Sequence, residues 1–301
     1  MLDTLLISTN RKLILYHEGR AFTVNQDFMN YAGITWCHDF IYVMARKQHY
    51  GKESYGLVFD HQFKLVRSVL LQGVGGPHQC IYRKGEVLIA NTFYNKIAAW
   101  DRWDKTRTAW FNGTVRVADD PETDDHVNSI WYDKKHYYVC EHLFGPSRIR
   151  ILDFDWNPVN SWQIGNEAHN IYVEDGVVYV CDSAHGAVLA RDLKTGKETS
   201  VCIADKLDWI SKPVERFIHI AYTRGLARTE NRFYIGCSAF TPRGERIKGQ
   251  SAVAILDSDL NYIDKIILED TGGLGDIRVV DGIDRAHNGF YCPWDGTIPN
   301  A

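Results

Sequence analysis

The sequence predicts an all-β protein, a six-bladed β-propeller of four-stranded blades whose last blade is closed by both chain termini. Three observations predict it. Five stretches superimpose: YAGITWCHDFIYVMAR from Tyr31, PHQCIYRKGEVLIANT from Pro77, DHVNSIWYDKKHYYVCEH from Asp125, AHNIYVEDGVVYVCDS from Ala168 and TRGLARTENRFYIGCS from Thr223. Their starts recur every 43 to 55 residues, which is the spacing of four-stranded blades and not of helical repeats. Aromatic residues make up 13% of the chain, many of them Tyr and Trp inside alternating runs, as half-buried strands of a large β core require.

Taken in order, LLIST at 5–9 and KLILYHEG at 12–19 match second and third strands with no inner strand before them. Each of the five units then supplies an inner strand, a polar turn and a second strand. A third strand follows, usually closing on Asp: YGLVFD at 55–60, KIAAWD at 96–101, RIRILD at 148–153, AVLARD at 187–192 and AVAILD at 252–257. Turn residues and a less regular outer strand, such as KLVRSVLL at 64–71, complete a blade. Near the C-terminus, GDIRVVDG at 275–282 fits the missing inner strand, so the sixth blade closes the ring and removes open sheet edges. The reading is one domain over 1–301, with a tail of about 283–301 packed on one face.

Two interruptions stand out. VCIADKLDWISKPVERF at 201–217 is too long for a tight turn and reads as a short helix stopped near Pro213. TPRGERIKG at 241–249 is a basic loop carrying Arg243, Arg246 and Lys248. Loops of this kind on a propeller face cover a binding site or are ordinary solvated insertions.

The charge balance, 34 Lys plus Arg against 38 Asp plus Glu for a net −4, speaks against a nucleic-acid partner. No signal-peptide pattern and no 18-residue apolar run occurs, so the expectation is a cytoplasmic protein without a membrane partner. Seven cysteines are scattered singly with no CxxC pair, which reads as reduced small hydrophobes rather than a disulfide framework. The sequon at Asn112 is then incidental.

The second position of the five units reads Ala32, His78, His126, His169 and Arg224. Equivalent places on innermost strands converge on the channel. Three imidazoles, His78, His126 and His169, make a set suited to a divalent transition metal such as Zn, Mn, Fe or Cu; alternatively they are channel-lining groups bridged by water. Glu141 and Asp182 follow the second strands of two of these units. Asp182 is placed to orient a ligating imidazole from behind, and Glu141 to act as a general base. Either could instead make a blade-to-blade hydrogen bond. His142 is placed at the mouth, as a substrate contact. Arg224, and Arg278 of the closing blade, are suited to hold a carboxylate, sulfate or phosphate by two-point contact; an Arg paired with a channel Asp such as Asp276 is an alternative of equal weight. Tyr222 and His219 are candidate proton-transfer groups. His17, His38, His49, His61 and His185 fall outside this register. GVGGPH at 73–78 lacks the Lys-Ser/Thr of a P-loop, and its glycines suit a tight turn between blades.

The fifth unit, the closing GDIRVVDG and the opening LL-x-ST strand resemble an uncharacterised family of bacterial six-bladed propellers, over most of the chain. More distantly the architecture is similar to strictosidine-synthase, gluconolactonase and paraoxonase propellers. That resemblance implies a divalent cation in the channel and a small-molecule substrate, but those propellers ligate through Glu, Asn and Asp oxygens, and histidines stand here instead. Some polysaccharide lyases on larger propellers look similar in residue types, combining histidine, metal and an arginine facing a uronate.

The sequence-based expectation is therefore a metal-dependent enzyme of lyase, epimerase or hydrolase type. Its substrate is a small anion, such as a sugar acid, held in the channel. The alternative is a non-catalytic scaffold propeller that binds a glycan or protein on a face, with Trp100, Trp103 and Trp110 as an aromatic patch.

Overall fold

The structure, a computed structural model, describes residues 2–48, 51–111, 113, 125–207, 221–239, 243–287 and 290–299. It is all-β, with six sheets of four antiparallel strands each. The first unit holds β4 (Ile34–Trp36), β5 (Ile41–Arg46), β6 (Ser54–Phe59) and β7 (Leu65–Leu70). The second holds β8 (Pro77–Arg83), β9 (Glu86–Asn91), β10 (Lys96–Asp101) and β11 (Thr106–Phe111). The third holds β12 (Val127–Tyr132), β13 (Tyr137–Glu141), β14 (Pro146–Leu152) and β15 (Pro158–Asn166), and the fourth β16 (His169–Glu174), β17 (Val177–Asp182), β18 (Ala187–Asp192) and β19 (Glu198–Cys202). The fifth holds β20 (Ala221–Arg228), β21 (Arg232–Ala239), β22 (Ser251–Asp257) and β23 (Tyr262–Leu268). In the closing blade β24 (Leu274–Val279) pairs with β1 (Leu5–Thr9), followed by β2 (Leu13–His17) and β3 (Arg20–Asn25), so the two ends of the chain share one sheet.

Burial grades outward through each blade. All five residues of β1 are buried, whereas the outer strand β7 is mostly exposed. The Asp that closes each third strand has a local role. Asp60, Asp101, Asp153, Asp192 and Asp257 each accept two backbone N–H bonds from the following turn, at 2.7 to 2.9 Å. Such Asx turns replace the ladder bonds that end there. Between blades the contact is close enough to dictate residue type. A Cβ on Gly56 would stand 2.5 Å from the Trp100 ring, so glycine lets the first unit seat on the second.

The inner strands are tied around the ring. Gly33 N–H donates to His78 O, Thr92 Oγ1 to Val127 O, Asn128 Nδ2 to Ala168 O, Ser183 Oγ to Thr223 O, Leu274 N–H to Ser238 Oγ and Tyr31 N–H to Thr9 O. The tail packs at the end of the channel where the inner strands finish. There His287 stacks on Trp36 at 3.7 Å and bonds Thr35 at 2.6 Å, and Trp294 lies between His17 and Phe63. All seven cysteines are unpaired thiols. No helix among the described residues is long and apolar enough to cross a membrane. The helix expected near Pro213 and the Asn112 sequon lie outside the described residues.

Candidate functional site

Strand pairing defines which side chains are equivalent, and every inner strand discussed here enters its sheet through an irregularity. In β8, Pro77 pairs with Asn91 and Cys80 with Ile89, which leaves His78 and Gln79 in the bulge. In β20, Thr223 pairs with Cys237 and Leu226 with Ile235, so Arg224 takes the place of His78; His169 holds that place in β16. The third unit differs from the sequence alignment. Val127 pairs with Glu141 and Ile130 with Val139, so Asn128 is the equivalent of His78, and His126 stands two residues earlier, where the second unit has Gly76 and the fourth has Glu167. The backbone agrees: Gly76, His126 and Glu167 all adopt left-handed φ, at 57°, 50° and 50°. The unit from Asp125 carries extra residues, and aligning letters alone places them on the wrong side of the bulge.

His78 and His169 are held in the same way. His78 Nδ1 lies 2.9 Å from Gly76 O and 2.8 Å from Thr92 Oγ1. His169 Nδ1 lies 2.8 Å from Glu167 O and 2.9 Å from Ser183 Oγ. Both hydroxyls spend their own hydrogen on a carbonyl of the next blade, so each Nδ1 must be the protonated nitrogen and each Nε2 carries the lone pair. In His169 that lone pair accepts from Arg224 Nη2 at 2.7 Å. Burial, and then the Arg224 guanidinium, hold both imidazoles well below the usual histidine range, and both rings are neutral.

His142, 3% exposed, occupies in the third unit the place of Thr92 and Ser183. Its Nδ1 accepts the Phe144 N–H at 3.1 Å, which leaves Nε2–H to face Tyr222 Oη at 3.2 Å. Tyr222 in turn donates to Glu167 Oε2 at 3.2 Å. Burial drives the Tyr222 hydroxyl pKa upward and keeps it protonated, while burial, followed by the neighbouring His126 and the Arg224 guanidinium, lowers His142. The imidazoles of His78, His126, His142 and His169 form one cluster, with neighbouring centroids 4.7 to 5.8 Å apart.

His78, His126, His169, Tyr222 and Arg224 border a cavity of about 200 Å³ at the channel mouth, small beside the 300 to 1,000 Å³ or so of drug-sized sites. Arg46, Arg224, Arg246, His78, His126 and His169 are among its walls, and no Asp or Glu is, among the described residues. Arg246 comes from the basic loop, here a short 3-10 turn over Arg243–Lys248. No carboxylate of the described residues pairs with Arg224 or Arg246, and Arg224 Nε is buried without a partner.

Of the residues singled out in the sequence, the structure brings His78, His126, His169, Tyr222 and Arg224 together around the cavity, with His142 directly behind. Three it places elsewhere. Glu141 is fully buried inside its blade, paired with Arg148 Nε and, at 2.7 Å, with Arg150 Nε. Asp182 accepts from Asn166 N–H at 2.8 Å and pairs with His185 at 2.9 Å, so it does not orient His169. Arg278 lies three residues beyond Gly275, the register position of the closing blade. Its guanidinium pairs with Asp276 at 3.0 Å and donates to carbonyls of Ile34, Leu226 and Ile277. His219 lies outside the described residues. Of the tryptophans, Trp100 and Trp110 are buried and Trp103 is 66% exposed, which makes no contiguous patch. The sequence pattern did not single out Arg46, Gln79 or Glu167. Arg46 is the first unit's counterpart of Thr92, and Gln79 the second bulge residue, so both carry a signal in the columns beside the histidines.

A three-histidine metal centre needs three imidazole lone pairs aimed at one point. No group of three or more His, Cys, Asp or Glu among the described residues is arranged to hold a metal ion. The His169 lone pair is already taken by Arg224, whose charge opposes a cation beside it, and His142 offers neither nitrogen. The donor set does not fit the divalent transition metal expected from sequence.

No family model and no curated protein matches this chain. Solved structures do. A chain in a crystal structure of a nidogen/laminin complex aligns with a TM-score of 0.64 at 10% identity, covering 92% of this chain and 98% of its own. A computationally designed protein, Ika8, aligns at a TM-score of 0.47 and 10% identity, over 95% of this chain and 79% of its own. At such identity the first likeness speaks for the propeller fold alone.

Proposed function

We propose that the cavity at the channel mouth binds a small anion, and that Tyr222 moves a proton on it. The observation that carries this reading is a small cavity walled by three arginines together with His126 and the neutral His78 and His169, with no carboxylate in the wall among the described residues. The Arg224 guanidinium meets a neutral imidazole and the Tyr222 phenol, neither of which supplies a counter-charge, and a carboxylate, sulfate or phosphate does. Arg224 is the anchor, with Arg46 and Arg246 contributing field.

Tyr222 borders the same cavity and is kept as the phenol, the form that can give a proton to a substrate. Glu167, a third exposed, then passes a proton from solvent back to the Tyr222 oxygen, and His142 fixes the hydroxyl from the other side. Proton transfer of this kind belongs to lyase and epimerase chemistry, and no metal is needed for it. The test is calorimetry with acetate, propionate, phosphate and sulfate: the wild type binds at least one, and Arg224→Ala loses it. The proton step is read separately, by deuterium uptake at the α-carbon of a bound carboxylic acid, where the lone pair of His78 Nε2 takes the α-proton and Tyr222 returns a deuteron drawn from solvent. Tyr222→Phe should bind like wild type and take up no deuterium. A wild type that binds no anion ends the proposal.

A further inference from the structure

The cavity wall is not uniformly a set of donors, and that asymmetry bears on which anion fits. His78 and Gln79 are adjacent bulge residues, and both line it. The His78 Nδ1–H is committed to Gly76 O and Thr92 Oγ1, so Nε2 offers only a lone pair. Gln79 is 5% exposed, its carbonyl oxygen has no partner, and its amide makes a single bond, to Ile171 O, at the limiting distance of 3.5 Å. Buried side-chain carbonyls without a donor are rare in native proteins. The neighbouring Asn128 and Asn170 are by contrast fully engaged with protein groups. One stretch of wall therefore presents two acceptors beside an arginine-built anion site.

A bare anion would lay its own lone pairs against those acceptors, which is repulsive. A ligand that carries a hydrogen-bond donor next to its negative group satisfies both. An ammonium donor would add a cation beside Arg46 and Arg224, which both act on His78, and like charges in such a site repel. A neutral hydroxyl has no such conflict.

We infer that the ligand is a small hydroxycarboxylic acid, its carboxylate on Arg224 and its hydroxyl donating to His78 Nε2 or Gln79 Oε1. This rests on the anion reading above, and its test keeps the two apart. The full chain is titrated calorimetrically with lactate and with propionate, which differ by one hydroxyl. Wild type should bind lactate about tenfold or more tighter, the worth of one well-made buried hydrogen bond. Gln79→Met and His78→Phe should each pull lactate toward propionate while propionate itself stays within about twofold. The wild-type comparison stands even if a variant fails to fold. Equal binding of the two acids, or binding of phosphate or sulfate but of neither acid, overturns this inference and leaves the anion site. A full lactate preference in both variants overturns the assignment to His78 and Gln79. No binding of any anion overturns both.

Discussion

The same hydrogen bond, an Nδ1–H shared between the carbonyl two residues back and a hydroxyl on the neighbouring strand, sets His78 and His169 in one tautomer. What differs is the partner at Nε2, and this is where Arg224 matters. Arg224→Lys should weaken anion binding by an order of magnitude or more, because an ammonium reproduces neither the fork nor the reach to His169. Calorimetry on the folded variant reads this directly. Glu141 gives the opposite expectation. It is buried against two arginines that are themselves about a quarter to a third exposed, so Glu141→Gln should cost about 3 kcal/mol of stability and leave anion affinity unchanged. Were Glu141 a catalytic base, the variant would stay stable and lose turnover instead. The sequence put Glu141 and Asp182 beside the channel because each follows a second strand at the same offset as a site residue. Which way such a residue points depends on the half-turn of the strand end, and one-dimensional spacing does not carry that.

Blade construction was legible because its signals are local: alternation for the strands, Asp for the turn after the third strand, glycine where a neighbour approaches. The bulge at the start of the inner strands β8, β12, β16 and β20 was not legible, since it needs the pairing partner to define it. His126 therefore aligned with His78 by letter and sits at the place of Gly76 by pairing. That place demands left-handed φ. Gly76 meets it without a side chain, and a Cβ there would also stand 2.7 Å from the Phe93 ring. Gly76→Ala should therefore destabilise the second blade by about 1 to 3 kcal/mol. It should also narrow the preference for lactate over propionate, because the Gly76 carbonyl holds His78. Thermal melting and calorimetry on one preparation test both. A variant with normal stability would remove the steric argument for this strand entry.

Ring closure was readable from two orphan strands at the chain ends, but not the device that locks it. Asp276 accepts from Ile34 N–H of the first unit and Asn170 Nδ2 of the fourth, and pairs with Arg278, which reaches carbonyls of the first and fifth units. Two buried side chains thus join the closing blade to three others. Burial outweighs Arg278 and the N–H donors and pushes Asp276 up to about 6 from its usual 3.8; Asp284, near the same inner strand, moves likewise to about 6. A carboxyl that holds its proton more tightly folded than unfolded favours the fold fully below about pH 3.8, and this contribution is lost as pH rises through about 6, by linkage up to about 3 kcal/mol per group. The half-buried turn aspartates Asp153, Asp192 and Asp257 are shifted downward by their side-chain and N–H bonds and act with the opposite sign, so a single acid melt mixes the two. Asp276→Asn separates them. Asparagine resembles the protonated acid and cannot ionise, so the variant should gain stability relative to wild type between about pH 4.5 and about pH 7. Urea unfolding of both proteins at the two pH values measures that gap. A gap that stays constant would mean that Asp276 does not titrate in this window and that Arg278 holds it ionised throughout.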